Sequence, residues 1–251
     1  MPESFADHFS VTAADYARFR PDYPSALFAW LRGIVRQRRV AWDCGTGNGQ
    51  AGIAVAEHFD LVVATDGSAA QLAAATAHPR LRYVCATAEQ SSLRDESADL
   101  VTVAQALHWF DLERFYREVE RVVAPGGAIA VWSYGSARVE SGIDDVIAAF
   151  YHGTLGSYWP SERAHVDNGY RDLPFPFAPI PVPRFDMARR WTLAQLLGYI
   201  GTWSAVQRYR KAKGDGAVTD FAARLGARWG DPSTTRQVEW PLLVRAGRVA
   251  A

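Results

Sequence analysis

The stretch that decides the fold is residues 40–50, VAWDCGTGNGQ, followed at 61–65 by the apolar run LVVAT and then by Asp66. The first residues predict a buried strand, and three glycines at alternate positions allow the backbone to turn sharply and to approach a ligand closely. Residues 51–58 then predict a helix, whose first N–H groups face the loop. An acid at the tip of the next strand can accept both hydroxyls of a ribose. The pattern therefore indicates a nucleoside cofactor.

Short apolar runs recur at intervals of roughly twenty residues through the first half of the chain. They lack polar alternation, which is typical of parallel strands covered by helices on both faces. The predicted strands are 40–44, 61–65, 81–86, 98–104 and 128–133. Further helices are predicted at 68–77, with Ser68 as N-cap, and at 112–123. This alternation favours an α/β fold with a Rossmann-like, doubly wound, seven-stranded and mostly parallel sheet.

Beyond Tyr134 the regular alternation stops, and the stretch up to residue 183 is dominated by glycine, proline and aromatic residues. Its sequence PFPFAPIP at 174–181 predicts fixed extended pieces. The segments that follow predict a strand at 184–191, a long amphipathic helix at 192–211, a second helix at 219–229 and a final strand at 237–245. The two strands would complete the sheet, and the two helices would form a helical cap over its carboxyl edge.

A chain of 251 residues has the length of one large domain. We therefore expect a single domain over 1–251. Its predicted parts are an N-terminal lid and first helix at 1–38, a cofactor-binding core at 39–135, an insertion at 136–183, and cap helices with closing strands at 184–251.

Composition excludes several classes of protein. Lysine plus arginine and aspartate plus glutamate each total 27, without the basic excess that a nucleic-acid partner requires. No apolar stretch approaches the ~20 residues of a membrane helix, and the first residues lack a secretion signal. Cys44 and Cys85 both lie in apolar runs, where buried thiols are expected and a disulfide is not. No metal-ligand spacing is present. We expect a soluble, cytoplasmic protein without metal, nucleic-acid or membrane partners, as a monomer or homodimer.

The glycine loop departs from the nicotinamide-cofactor pattern, because the G-x-G-x-x-G spacing fails at Gln50 and Asp43 precedes the glycines. It resembles the D-x-G-x-G-x-G loop of class I S-adenosylmethionine-dependent methyltransferases. The resemblance implies that Asp43 orients the loop and that Asp66 takes the ribose hydroxyls; a helix-capping role for Asp66 is the alternative. The residues it places on the cofactor here are Asp43, Gly45, Thr46, Gly47, Asp66, Gly67 and Ser68.

Two later segments carry the same resemblance. Residues 86–89, ATAE, are similar to the segment that edges the adenine ring, which implies contacts from Ala88 and Glu89; a solvated or capping carboxylate is the alternative for Glu89. Residues 104–110, AQALHWF, resemble a Q-A-x-H-W segment of small-molecule methyltransferases. The cofactor contacts implied there are Gln105 and Ala106, and Trp109 would face the acceptor. His108 either orients or deprotonates the acceptor, or packs in the structure.

The ends of the chain resemble methyltransferases of the trans-aconitate and cantharidin-type small-molecule group. Residues 16–24, YARFRPDYP, match the pattern Y-x-x-x-R-P-x-Y-P, which implies that Tyr16 and Arg20 cover the methionine end of the cofactor and one wall of the acceptor pocket. A structural surface pairing is the alternative for Arg20. Residues 197–210 are also similar, and the acceptor contacts implied there are Trp203, Arg208 and Tyr209; an aromatic stripe that only fills the core is the alternative.

The resemblance implies methyl transfer from S-adenosylmethionine to a small organic acceptor, with S-adenosylhomocysteine as product and oxygen as the favoured atom. Tyr16, His108 and Trp109 would form the acceptor wall. A carboxylate would need no base and would be held by Arg20 or Arg208, whereas a hydroxyl would use His108 as base. Two alternatives keep the cofactor: a non-methylating elimination or cyclisation, and a catalytically silent binding module.

Overall fold

The computed structural model describes residues 19–250, in which strands and helices alternate through the first half. The strands, numbered in chain order, are β1 Val40–Cys44, β2 Leu61–Asp66, β3 Leu81–Cys85, β4 Ala98–Ala104, β5 Val123–Tyr134, β6 Ala178–Pro179, β7 Ala188–Trp191, β8 Arg236–Glu239 and β9 Leu242–Arg248. The α-helices are α1 Ser25–Gly33, α2 Gln50–Ala56, α3 Ala69–Ala73, α4 Leu112–Val122, α5 Ser141–Ala148, α6 Arg163–Asp167, α7 Leu193–Gly201, α8 Ser204–Lys213 and α9 Gly216–Trp229.

A seven-stranded sheet with the order β3-β2-β1-β4-β5-β9-β6 forms the centre of the molecule. The strands from β1 to β5 pair in parallel, while β9 runs antiparallel to both β5 and β6. The predicted Rossmann-like, mostly parallel α/β fold is thus confirmed. Because the strand order reverses between β1 and β4, their carboxyl ends leave a crevice, which is where ligands bind in open α/β sheets.

The sequence of each core element explains its place. All residues of β4 except the last are buried, as expected for a central strand covered on both faces. Helix α4 begins at Asp111, whose side chain accepts a hydrogen bond from the backbone N–H of Arg114 (3.2 Å). Its buried residues Phe115, Val119 and Val122 recur at helical spacing against the sheet. Helix α3 ends at Ala73, four residues before the predicted boundary at 77.

The predictions for the closing strands are partly wrong. Segment 184–191 contains β7, but β7 pairs with β8 in a separate two-stranded sheet and does not join the main sheet. The predicted strand 237–245 is interrupted at Trp240-Pro241, where the N–H of Trp240 donates to the carbonyl of Met187 (2.8 Å) and proline has no N–H for a ladder. The chain then continues as β9 in the main sheet, whose remaining edge is taken by β6.

The predicted helix over 192–211 is two helices, α7 and α8. They are separated by Trp203, whose backbone is extended (φ −66°, ψ 134°). Its indole is buried and contacts the rings of Tyr151 and Tyr199 at centroid distances of 5.5 and 5.8 Å. Thr202 donates its hydroxyl proton to the carbonyl of Tyr199 (2.6 Å) and satisfies the end of α7. Burial of the Trp203 indole therefore decides where the chain breaks into two helices, although the helical periodicity of the sequence continues through this position.

The insertion at 136–183 is extended at its proline-rich end, 174–181, as predicted, and it also contains helices between residues 141 and 167 that the sequence did not predict. These include α5, a π-helical turn at Ala149–Thr154 and α6. Phe150 stacks on Phe221 of α9 with a centroid distance of 4.0 Å and an interplanar angle of 12°. The insertion up to residue 159, the strands β7 and β8 and the helices α7, α8 and α9 consequently share one hydrophobic core, hereafter the cap.

Three expectations drawn from composition can be compared with residues 19–250. Cys44 is buried as expected, but Cys85 is exposed, because β3 lies at the edge of the sheet and its last residue faces outward. None of the helices described is both long and apolar enough for a bilayer crossing. Nor do the described histidine, cysteine and carboxylate side chains form a group of three placed to hold a metal ion.

Candidate cofactor and acceptor site

The glycine loop between β1 and α2 turns with a backbone that few other residues could adopt. Gly45 has φ +67°, and a Cβ added there would lie 2.6 Å from the Cβ of Ala106. Gly49 has φ +90°, and a Cβ there would overlap the hydroxyl of Tyr83. The N–H of Thr46 donates to the carbonyl of Thr65 at the end of β2 (3.0 Å). The loop is therefore pressed against its neighbours and leaves its main chain facing the crevice.

Asp43, near the end of β1, fixes the glycine loop through hydrogen bonds. Its carboxylate accepts hydrogen bonds from the hydroxyls of Thr46 (2.5 Å) and Thr102 (2.6 Å), one on each oxygen. The side chain is fully buried, and burial, opposed by these two hydrogen bonds, raises the pKa of Asp43 to about 6. Asp43 does not line the crevice itself. Its contacts join the loop to β4, and a direct contact between Asp43 and the cofactor stays a prediction.

Asp66 stands at the carboxyl end of β2 and faces the loop. One carboxylate oxygen accepts from the N–H of Gly47 (2.8 Å) and the other from the N–H of Ser68 (2.8 Å). A carboxylate oxygen has two lone pairs and can accept more than one hydrogen bond, as the hydroxyls of a ribose would require. Ser68 caps α3 by accepting from the N–H of Gln71 (3.3 Å). Asp66 therefore ties the two turns together beside the crevice.

The opposite edge of the crevice follows β3 and β4. Ala88 and Glu89 line it, and one oxygen of Glu89 accepts from the N–H of Asp111 (3.0 Å), which joins this edge to the start of α4. Phe110 adds an aromatic face to the same edge and packs against Phe115 with a centroid distance of 4.9 Å. An apolar ring face beside a carboxylate suits a flat, nitrogen-containing ring.

Gln105 marks the turn after β4. It has φ +58°, a left-handed conformation that costs a non-glycine residue on the order of 1 kcal/mol and occurs mainly at functional sites. Its N–H donates to the carbonyl of Trp132 (2.9 Å), and its side-chain amide donates to the carbonyl of Tyr134 (3.2 Å). These bonds join β4 to β5 at the floor of the crevice, next to Ala106.

Together these elements enclose a cavity of about 330 Å³. Its lining includes ten of the residues singled out from the sequence, which are Gly45, Thr46, Gly47, Asp66, Gly67, Ala88, Glu89, Gln105, Ala106 and Trp109. The structure brings them together from four loops. Sequence reasoning did not single out Tyr23, Gln71, Phe110 and Tyr134, which also line the cavity. Tyr23 lies in the quoted N-terminal motif, and Tyr134 directly follows the predicted strand 128–133, so both signals were available in the sequence.

His108 lies behind the cavity wall. It sits in a short 3₁₀ helix, Leu107–Trp109, where its ring packs on Trp109 (centroid distance 4.7 Å) and its Nδ1 contacts the hydroxyl of Tyr170 (2.9 Å). Burial, together with the nearby Arg163 and His165, lowers the pKa of His108 to about 3. The imidazole is therefore neutral at physiological pH and a weak proton acceptor.

The other candidates lie around the cap or beyond the described part. Arg20 does not line the cavity, but it donates to the hydroxyl of Tyr134 (2.9 Å), which does. Trp203 is buried in the cap core. Arg208 and Tyr209 lie on α8, away from the cavity lining. Tyr16 falls outside residues 19–250, so its role stays a prediction, as do the acceptor roles of Trp203, Arg208 and Tyr209.

Comparison with known proteins gives the family. Residues 42–131 match the family described as "Methyltransferase domain". A Dictyostelium discoideum protein provisionally named a methyltransferase is 31% identical over 215 residues, which cover 84% of this chain and 82% of that protein. The chain belongs to the class I S-adenosylmethionine-dependent methyltransferases. A solved structure from Anaeromyxobacter dehalogenans, provisionally named a type II methyltransferase, shares 45% identity and a TM-score of 0.86, covering 92% of this chain and 99% of that one.

A further relative supports the same assignment over a shorter range. A Saccharomyces cerevisiae protein provisionally named an S-adenosylmethionine-dependent methyltransferase is 32% identical over 143 residues, covering 53% of this chain and 49% of that protein. The residues of this methyltransferase fit the cofactor: Gly45 and Gly47 present bare backbone, and Asp66 places a carboxylate on the lining of the crevice. When bound, S-adenosylmethionine supplies a methyl group that its sulfonium has made electrophilic.

Proposed function

We propose that this methyltransferase acts on an oxygen of a small organic acceptor and that the favoured oxygen belongs to a carboxylate. The observation that carries the proposal is the composition of the wall beyond Gln105. Three aromatic residues, Tyr23, Trp109 and Tyr134, line the cavity there. An aromatic wall around a cavity of about 330 Å³ suits a small acceptor with an apolar body.

The wall offers no effective base among the described residues. The titratable groups that line the cavity are Asp66 and Glu89, on the side of the glycine loop and α4, and the phenols Tyr23 and Tyr134. His108 lies behind Trp109, and with its pKa lowered to about 3 it would accept a proton poorly. An alcohol, phenol or ammonium acceptor must lose a proton during transfer, whereas a carboxylate is already ionised at neutral pH. The lack of an effective base among residues 19–250 therefore favours a carboxylate.

In the proposed reaction the protein contributes position and a dry environment. Gln105 and Ala106 form the floor of the cavity, and the aromatic wall excludes water, so that an acceptor oxygen would be held close to the methyl group of the bound cofactor. S-adenosylmethionine would supply the methyl group together with sulfur as the leaving atom, so that the products would be a methyl ester and S-adenosylhomocysteine. No proton is transferred, so His108 acts by holding Trp109 in place.

The test is a screen for S-adenosylhomocysteine formation with paired acceptors. Small carboxylic acids, phenols and primary amines of matched size are incubated with the protein and S-adenosylmethionine, and products are identified by mass. We expect methyl esters from the acids, which alkali hydrolyses back to the acid. Methylated amines or phenols formed at higher rates than any ester would contradict the carboxylate proposal. Asp66→Ala serves as the control that turnover depends on the described crevice.

A further inference from the structure

Residues 19–24, hereafter the strap, run from the cap to the first helix that covers the main sheet. The ring of Phe19 lies directly on α7, where a Cβ added at Gly198 would be 2.5 Å from it. Pro24 is the N-cap of α1, and its carbonyl accepts from the N–H of Leu27 (3.0 Å). A side chain in place of this glycine would displace the strap. The strap is therefore held at both ends by helices.

The strap supplies part of the aromatic wall of the cavity. Tyr23 lines the cavity, and its ring packs on Trp132 and Tyr134 at centroid distances of 5.6 and 6.1 Å. Arg20 donates to the hydroxyl of Tyr134 (2.9 Å), which lines the cavity as well. An aromatic ring is rigid and contributes to a wall through its position. The place of the strap thus determines the shape of the acceptor side.

A single side chain ties the strap to the glycine loop. Gln50 is the first residue of α2 and lines the cavity. Its Nε2 donates to the carbonyl of Pro21 (2.9 Å), across 29 positions of the chain. A backbone carbonyl can only accept, so the amide nitrogen and not the amide oxygen must face it. The bond joins two parts of the cavity lining, one on the cofactor side and one on the acceptor side.

The glycine-loop end of this bond is fixed by close packing. Beside Gly49, which precedes Gln50, the hydroxyl of Tyr83 occupies the place that a Cβ would take. One turn into α2, a Cβ added at Gly52 would lie 3.0 Å from the carboxylate of Asp43. Closely packed elements move as units and do not absorb small displacements. Gln50 therefore follows the position of the glycine loop.

The strap end of the bond is fixed by proline. Pro21 is buried, and its ring restricts the backbone, as does the ring of Pro24. Only Asp22 and Tyr23 lie between these two prolines. The carboxylate of Asp22 pairs with Arg189 of β7 (3.3 Å), which limits the segment further. A displacement of the Pro21 carbonyl is consequently passed to the ring of Tyr23, two residues later.

We propose that Gln50 is a positioning residue that makes the acceptor wall depend on the cofactor. When the cofactor holds the glycine loop, the bond from Gln50 fixes the strap, and Tyr23 is held in the wall. The cofactor should therefore bind before the acceptor, and each should strengthen the binding of the other. The statement about the acceptor rests on the proposed function, whereas the link between cofactor and strap holds for any acceptor.

The chain offers a matched control for this bond. Gln50→Met keeps the length of the side chain and removes the N–H donor, and Gln50→Glu keeps its shape but can only accept at neutral pH. In the cap, the Nε2 of Gln207 also donates to a backbone carbonyl, that of Gly201 (2.7 Å). Neither of these two residues lines the cavity. Gln207→Met therefore removes the same kind of bond and should leave the link to the strap in place.

The experiment follows hydrogen exchange of the full-length protein by mass spectrometry, in peptides covering residues 19–33. Each protein is measured without S-adenosylhomocysteine and at a concentration that calorimetry shows to saturate that variant. We expect S-adenosylhomocysteine to slow exchange roughly tenfold or more in the wild type and in Gln207→Met, but less than about twofold in Gln50→Met and Gln50→Glu. A merely structural role of Gln50 would speed exchange equally in both conditions and leave the ratio unchanged.

The proposal is overturned if S-adenosylhomocysteine does not slow exchange in the wild type, or if the ratio is unchanged in the folded Gln50 variants. Loss of the ratio in Gln207→Met as well would also overturn it, since the effect would then belong to the stability of the cap. The proposed function is tested separately. Faster methylation of phenols or amines, with the exchange ratio intact, would contradict the carboxylate acceptor alone, and ester formation with the ratio absent would contradict the role of Gln50 alone.

Discussion

The cofactor side of the crevice and the cap are built by different means. On the cofactor side, short loops directly after β1 and β2 meet through backbone groups, as where Asp66 accepts from the N–H groups of Gly47 and Ser68. In the cap, distant segments meet through side chains, as where Phe150 stacks on Phe221. The first arrangement depends on residue type at fixed spacing, and the second depends on shape. Cofactor binding and acceptor choice should therefore respond separately to mutation.

The largest expected effect is on the stability of the cap. Phe150→Ala removes a ring that is 1% exposed, and we expect the free energy of unfolding to fall by ~3–5 kcal/mol. Urea denaturation provides the measurement. The matched variant Phe115→Ala, at a buried ring that packs on Phe110, should cost a similar amount and also weaken S-adenosylhomocysteine binding. If Phe150→Ala weakens S-adenosylhomocysteine binding as much as Phe115→Ala does, mutations in the cap and on the cofactor side do not act separately.

The next effect concerns the cofactor side alone. Asp66→Ala removes the acceptor that joins the two turns, so we expect the Kd for S-adenosylhomocysteine to rise by roughly 100-fold, or ~3 kcal/mol. Calorimetry measures the change, and circular dichroism checks that the fold is retained. Asp60→Ala, an exposed acid just before β2, is the control and should bind normally. Unchanged affinity in a folded Asp66→Ala protein would refute a contact between Asp66 and the cofactor.

A third prediction uses the buried carboxyl of Asp43. Because its pKa is raised from 3.8 to about 6, the folded protein binds a proton there more tightly than the unfolded chain does. The contribution of Asp43 to stability is therefore present at low pH and is lost as pH rises from about 4 to about 6, by on the order of 2–3 kcal/mol. Asp43→Asn should lack this loss, and unfolding curves across that range compare the two proteins. Parallel pH profiles would contradict the raised pKa.

The smallest effect tests the wall between the two regions. His108→Ala removes packing on Trp109 but no cofactor contact, so we expect unchanged S-adenosylhomocysteine affinity and turnover reduced by less than roughly tenfold. Since the pKa of His108 is lowered to about 3, the wild-type rate should show no histidine titration between pH 5 and 8. A rate that rises through that range in the wild type, and not in the variant, would make His108 a base.

The success of sequence reasoning differs between the two regions for a physical reason. The strands β1, β2 and β4 were predicted nearly to the residue, because a strand buried on both faces must be continuously apolar. The helix over 192–211 was predicted as one piece, because its break at Trp203 follows from burial of the indole among Tyr151 and Tyr199. Those partners lie tens of residues away or across a turn, and local periodicity carries no record of them.

The sequence by itself determined the five parallel strands, the glycine loop and the acid at Asp66, since positive φ values, close approach and continuous burial restrict residue type at fixed positions. Tertiary structure alone decided which strand closes the sheet, and that His108 lies behind Trp109 and not in the cavity. These outcomes depend on how separate apolar faces fit together, and many sequences satisfy the same local pattern while differing in that fit.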